Sequence, residues 1–190
     1  MQNYYKHFPE IDNVYWTDYF LKEFIPKYKF FENTSDIGSS YIEYYKKDFV
    51  NEPEILKLSA LLSSKLKFPP IHYFLIFRHV DMDQPIHADG QSILRYSSFN
   101  LPLLGYAGTN MCFYKMKDVN VEPEISNAYY YNKENLTVVD KFSGGNEWVL
   151  VNSGVPHNVV DMNSTDPRIT VCIRFYGNPT FEDLINNAKS

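Results

Sequence analysis

Cysteine is scarce in this chain: 190 residues hold two, Cys112 and Cys172, and neither belongs to a Cys-x-x-Cys pair. Both lie in apolar, strand-like runs, so buried thiols in a reducing compartment are expected, not a disulfide framework. There is no apolar run of 18 residues and no basic-plus-apolar leader at the N-terminus, so neither a membrane span nor secretion is expected. Positive charge is also in short supply, with 18 Lys and Arg against 23 Asp and Glu and a net charge of −5. A protein that grips nucleic acid by neutralising phosphates needs the opposite balance, which argues against such a partner. The lysines at Lys46-Lys47 and around Lys65 and Lys67 read as solvated helix faces. No internal repeat and no low-complexity tract is visible, and the expected setting is the cytoplasm.

What the chain does have is apolar and aromatic mass, 44% and 17% of its residues, including sixteen Tyr and fourteen Phe. That suits one packed domain over residues 1–190. Residues 1–68 read as a helical segment that packs on the rest. Within it, Val14, Tyr15, Tyr19, Phe20, Phe24 and Ile25 recur at helical intervals over residues 12–28, and residues 32–40 read as a loop. A second helix is marked by Asn51 as cap, Pro53 in the first turn and the stripe Ile55, Leu58, Leu61, Leu62 and Leu66, and Pro69-Pro70 ends it. From residue 71 the period becomes that of strands, with runs expected at 71–77, 95–101, 110–116, 127–131, 136–142, 147–152, 157–161 and 169–176. About eight short strands at this spacing predict a mainly β fold with flanking helices, and a jelly roll over residues 69–178. Residues 179–190 predict a short closing helix, capped by Thr180, with Phe181, Leu184 and Ile185 on its apolar face.

Three stretches concentrate the chemistry. Pro85-Ile86-His87-Ala88-Asp89-Gly90 puts an imidazole and a carboxylate two residues apart, on one face of a strand. Val155-Pro156-His157 supplies a second imidazole. Two histidines and a carboxylate on one side of a metal leave the opposite positions open, as in non-haem Fe(II) oxygenases. Pro167-Arg168-Ile169-Thr170 adds a guanidinium fork and a hydroxyl suited to a carboxylate. Together they suggest an oxygenase with an oxo-acid co-substrate. Two choices stay open at this point. His79-Val80-Asp81 is a second His-x-Asp, although it ends an apolar run where a polar strand terminus explains it. Arg174 has the parity of Arg168 and is the alternative carboxylate binder. A hairpin over residues 162–166 would set Arg168 opposite His157, on the order of 5 Å apart between Cα atoms.

The blocks Pro85 to Gly90, Phe99-Asn100-Leu101-Pro102-Leu103 and Met111-Cys112-Phe113-Tyr114 resemble the proximal half of Fe(II)/2-oxoglutarate-dependent dioxygenases. Residues 149–160, with Pro167 to Thr170 and Ile173-Arg174-Phe175, are similar to the distal half. The version most resembled is the small oxygenase common in phage and bacterial genomes, which for a viral chain would mean the host cytoplasm. The resemblance implies a double-stranded β-helix, Fe(II) on His87, Asp89 and His157, and 2-oxoglutarate with its distal carboxylate on Arg168 assisted by Thr170. It further implies O2 as oxidant, contacts from Arg95 and Asn100 to co-substrate or substrate, and hydroxylation of a small-molecule or peptidyl substrate with release of succinate and CO2. Two rival readings are a cupin-like metalloenzyme without 2-oxoglutarate, and a non-catalytic jelly roll with an exposed aromatic platform at Tyr129-Tyr130-Tyr131.

Overall fold

Alternation along the strand β12 (Arg168–Phe175) separates the two environments of this protein. Ile169, Val171, Ile173 and Phe175 enter the main hydrophobic core, while Arg168, Thr170, Cys172 and Arg174 line a cavity. A period of two sends successive side chains to opposite faces, so one strand serves as core wall and site wall at once. The computed structural model describes residues 4–27, 39–45, 51–78, 84–89, 97–118, 123–125, 129–160 and 168–188.

Among these residues the strands form two antiparallel sheets. The first runs in the order β1 (Tyr5–His7), β10 (Val149–Val151), β5 (Ser98–Leu104), β12, β3 (Pro70–Arg78) and β2 (Ser39–Tyr45). The second runs β7 (Glu124–Ile125), β8 (Tyr129–Tyr130), β4 (His87–Ala88), β11 (His157–Val160), β6 (Asn110–Met116) and β9 (Leu136–Ser143). From β3 to β6, and again from β9 to β12, each successive strand changes sheet. That crossing pattern is the double-stranded β-helix, or jelly roll, that the strand count predicts.

The helices cover the outer face of the first sheet. Helix α1 (Asn13–Tyr19) starts where the Asp12 side chain accepts from the Tyr15 N–H at 2.9 Å. It continues through a wider π-type stretch (Phe20–Phe24) into α2 (Ile25–Lys27). Trp16, Tyr19, Phe20 and Phe24 are buried, whereas Val14 and Tyr15 of the expected stripe are exposed. The buried set recurs at three- and four-residue steps from Trp16, which leaves Val14 and Tyr15 on the far side. Helix α3 (Pro53–Leu66) has Pro53 in its first turn, with Glu52 and not Asn51 at the cap position. Its Ile55, Leu58, Leu62 and Leu66 are fully buried, and Lys67, left-handed at φ 61°, ends it ahead of the two prolines. Helix α4 (Phe181–Ala188) opens on a reciprocal cap: Thr180 Oγ1 accepts from the Asp183 N–H at 3.1 Å, and Asp183 Oδ2 accepts from the Thr180 N–H at 3.0 Å. These helices meet Phe99, Leu101 and Leu103 of β5 and Leu150 of β10 in one core with the odd residues of β12.

The structure corrects several boundaries. The first 68 residues are not helical throughout, because β1 and β2 join the first sheet, and residues 39–40 of the expected loop belong to β2. The strand expected at 95–101 runs Ser98–Leu104, through Pro102. Its register against β12 slips between Ile169 and Thr170, where Pro102 has no N–H to give. The strand expected at 127–131 is two residues, Tyr129–Tyr130, paired with β7. No helix among the described residues is long and apolar enough to cross a membrane.

Candidate metal centre

The second sheet brings two imidazoles face to face. His157 opens β11 directly after the turn that contains Pro156, and it pairs with His87 of β4. Directly opposed residues on antiparallel strands point to one side, and the two ring centroids are 4.5 Å apart. Each ring is anchored by a carbonyl two residues back: His87 Nδ1 lies 2.9 Å from Pro85 O, and His157 Nδ1 lies 2.8 Å from Val155 O. A carbonyl can only accept, so both Nδ1 atoms carry a hydrogen, and in the neutral ring Nε2 keeps the lone pair. This is the tautomer that a metal requires, held by the kind of outer hydrogen bond that fixes ligating histidines. Asp89 follows His87 by two residues, and its N–H donates to Ser153 O at 2.9 Å. One ligand atom from each of His87, Asp89 and His157 lies within 4.8 Å of the others, and no second group of this kind occurs among the described residues.

Charge in the site is arranged for a cation. Burial pushes the Asp89 carboxyl up, but the Arg174 guanidinium and the two imidazoles outweigh it and hold the group at about 2. Burial, reinforced by His87, lowers His157 to about 4. At neutral pH the carboxylate is therefore charged and the imidazole bare, with no proton to displace. Cys172 lines the same cavity, but burial pushes its thiol up to about 11. It stays protonated at neutral pH and offers no thiolate. Both cysteines are buried and neither is in a disulfide, as their apolar context predicts.

The first sheet supplies the opposite wall of a cavity of about 110 Å³. Arg168 and Thr170 are on it, but not through a hairpin with His157. Strand β11 pairs with β4 and β6, whereas β12 pairs with β3 and β5. Arg168 is opposite Arg78 of β3, and it faces the histidines across the cavity because the crossing topology puts β11 and β12 in different sheets. Arg168 Nε and Thr170 Oγ1 are both buried without a hydrogen-bond partner, and burial lowers the Arg168 guanidinium. Arg174 Nε, on the same wall, is a third such atom; buried donors almost always have partners, so a wall with three unpartnered ones suits an acceptor. Arg174 has other work. Its Nη1 donates to Ser97 O at 2.6 Å and to Ser153 Oγ at 2.9 Å, and its Nη2 donates to Asp89 Oδ2.

Of the remaining candidates, Asn100 lines the cavity and accepts from Ser98 Oγ. Arg95, His79 and Asp81 lie outside the described residues. Tyr129, Tyr130 and Tyr131 are half-buried, with Tyr130 paired to His87, so they form no exposed platform. Phe113 and Tyr114 are buried in core clusters. Gln84 and Ser153, which the sequence reading did not single out as site residues, also line the cavity. Ser153 lies in the turn that leads to His157, a usable signal; Gln84 is three residues before His87, and nothing in its type or spacing points to a role.

No protein-family model matches this chain, and no curated protein matches its sequence. Among solved structures it is similar in fold to HygX from Streptomyces hygroscopicus. With nickel, 2-oxoglutarate and hygromycin B bound, that protein aligns at a TM-score of 0.53 and 13% identity, covering 89% of this chain and 81% of the other. With nickel and 2-oxoglutarate bound the TM-score is 0.52 at 12% identity, covering 89% and 81%. With iron bound it is 0.51 at 12% identity, covering 89% and 80%. At such identity the likeness is one of fold.

Proposed function

We propose that this protein is an Fe(II)- and 2-oxoglutarate-dependent dioxygenase that hydroxylates a small-molecule or peptidyl substrate and releases succinate and CO2. The observation that carries this reading is the pair of orphaned donors, Arg168 Nε and Thr170 Oγ1, buried on the cavity wall across from His87, Asp89 and His157. A His-Asp-His face alone fits several metalloenzymes; a guanidinium and a hydroxyl facing it with unpartnered polar atoms fit an oxo-acid co-substrate.

In this reading His87 Nε2, His157 Nε2 and one Asp89 oxygen hold the metal. Bound iron with 2-oxoglutarate and O2 supplies the oxidising power, which no side chain of the protein has. The protein's part is geometric. Pro85 O and Val155 O keep the imidazole lone pairs turned inward, and Arg174 fixes Asp89 Oδ2. Arg168 and Thr170 receive the distal carboxylate, so that the co-substrate reaches the metal in one orientation. Asn100 lies on the same wall as a polar contact for co-substrate or substrate. Support also comes from HygX, whose structures hold nickel and 2-oxoglutarate in this fold. A cupin-like metalloenzyme without 2-oxoglutarate would leave Arg168 and Thr170 without an acceptor.

The test is calorimetry of the purified protein, first with Mn(II) and then with 2-oxoglutarate, followed by a screen of candidate substrates for succinate release. One equivalent of metal and metal-dependent 2-oxoglutarate binding are expected. Metal binding with no 2-oxoglutarate binding at millimolar concentration would overturn the oxygenase reading and favour the cupin-like one.

A further inference from the structure

One carboxamide touches the candidate ligands without being one of them. Gln84 Nε2 lies 3.3 Å from His87 Nε2. His87 Nδ1 already gives its hydrogen to Pro85 O, so in the neutral ring Nε2 has a lone pair and accepts from the carboxamide. That lone pair is the one a metal would take. The main chain of Gln84 is fixed at both of its polar groups: its N–H donates to Val159 O at 3.0 Å, and its carbonyl accepts from Asn158 Nδ2 at 3.0 Å. Asn158 is buried, and its Oδ1 accepts from the Tyr114 hydroxyl at 2.9 Å. The backbone at Gln84 cannot retreat without breaking this network, so only the side-chain torsions can carry the carboxamide away from His87.

We propose that Gln84 is a displaceable placeholder for the metal. Its carboxamide lies on the His87 lone pair, and an incoming divalent cation must break this hydrogen bond before it can bind. The inference rests on the reading of His87, Asp89 and His157 as metal ligands. It adds a residue that opposes binding, and therefore tunes the affinity of the centre downward. The His87 ring does not depend on Gln84 for its orientation, because Pro85 O anchors the other nitrogen. Removing the carboxamide should free the lone pair without loosening the ring.

The experiment compares Ni(II) binding to wild-type protein and to Gln84→Leu by calorimetry. A neutral hydrogen bond lost in competition corresponds to binding tighter by about two- to tenfold in the variant. A residue that merely supports the fold would give equal or weaker binding, and either result overturns the inference. A second arm needs no variant. In wild-type protein, NMR follows the Gln84 side-chain carboxamide during titration with Zn(II), and its resonances should shift in step with metal occupancy. If they stay in place at saturation, the placeholder role is wrong even where Gln84→Leu fails to fold. Wild-type protein that binds neither Ni(II) nor Zn(II) would sink the metal reading itself, a failure distinct from metal binding that ignores Gln84.

Discussion

Arg168 and Arg174 share a strand, a parity and a cavity, yet their surroundings give them opposite duties. Both have a buried Nε without a partner, but Arg174 commits its two Nη groups to Ser97, Ser153 and Asp89 and neutralises that carboxylate. A shielded arginine–carboxylate pair loses about 2–5 kcal/mol when one side is truncated. Arg168→Ala should therefore weaken 2-oxoglutarate binding about a hundredfold or more while Mn(II) affinity hardly changes, and Arg168→Lys should restore only part of it, having charge but no fork. Calorimetry with both ligands reads the two effects separately. Arg174→Met should behave differently, because it leaves the Asp89 carboxylate buried and uncompensated. A loss of stability of about 3–5 kcal/mol is expected, seen in urea unfolding of the metal-free protein, together with weaker metal binding. The sequence shows two equivalent arginines here. What distinguishes them is a carboxylate 85 positions away, and no local pattern encodes that contact.

At the scale of elements, legibility followed the length of the periodic signal. Strand β6 falls where its aromatic run predicts, and β12 is displaced by a single residue at each end. Helix α4 has the predicted cap and the predicted apolar face. Strands β4 and β8, two residues each, and β1, with three, are too short to carry a period, and their neighbours in the sheet create them. The candidate metal residues His87, Asp89 and His157 were legible as motifs, but their meeting depends on the pairing of β4 with β11. The hairpin expected between His157 and Arg168 failed for the same reason, since strand pairing is decided by which faces can be buried and not by proximity in sequence. Two substitutions probe elements remote from the site. Thr180→Ala removes the cap of α4 and should cost about 1 kcal/mol. Leu62→Ala opens a cavity beneath α3 and should cost about 2–5 kcal/mol. Both should lower the thermal midpoint yet leave one metal equivalent per chain, measured by titration, because no described helix residue lines the cavity.

The molecule as a whole should lose stability in acid in two steps while metal-free. His157 titrates at about 4 in the folded protein against an ordinary 6.5. Between those values the unfolded chain takes up a proton that the folded site refuses. Stability is therefore full above 6.5 and falls as the pH drops toward 4, by about 3 kcal/mol. Asp89, held at about 2 against an ordinary 3.8, contributes stability that is present above 3.8 and lost as the pH falls toward 2. Urea midpoints at pH 7, 5.5 and 4.5 measure the first step, and His157→Asn should flatten it. Saturating Mn(II) should deepen the dependence, since metal binds only the folded, deprotonated site.

On the proposed reading the metal would stand on one sheet and the co-substrate's distal carboxylate on the other, so the gap between two sheets (about 10 Å in such packings) would act as a caliper. It would measure the diacid laid across it, with the helices packed behind the first sheet holding its jaws at a fixed setting. A diacid one methylene shorter, oxaloacetate, or one longer, 2-oxoadipate, should then bind the metal-loaded protein about tenfold or more weakly than 2-oxoglutarate. Competition calorimetry with the three acids measures the width of the jaws, and equal affinities would mean that the two walls do not act together.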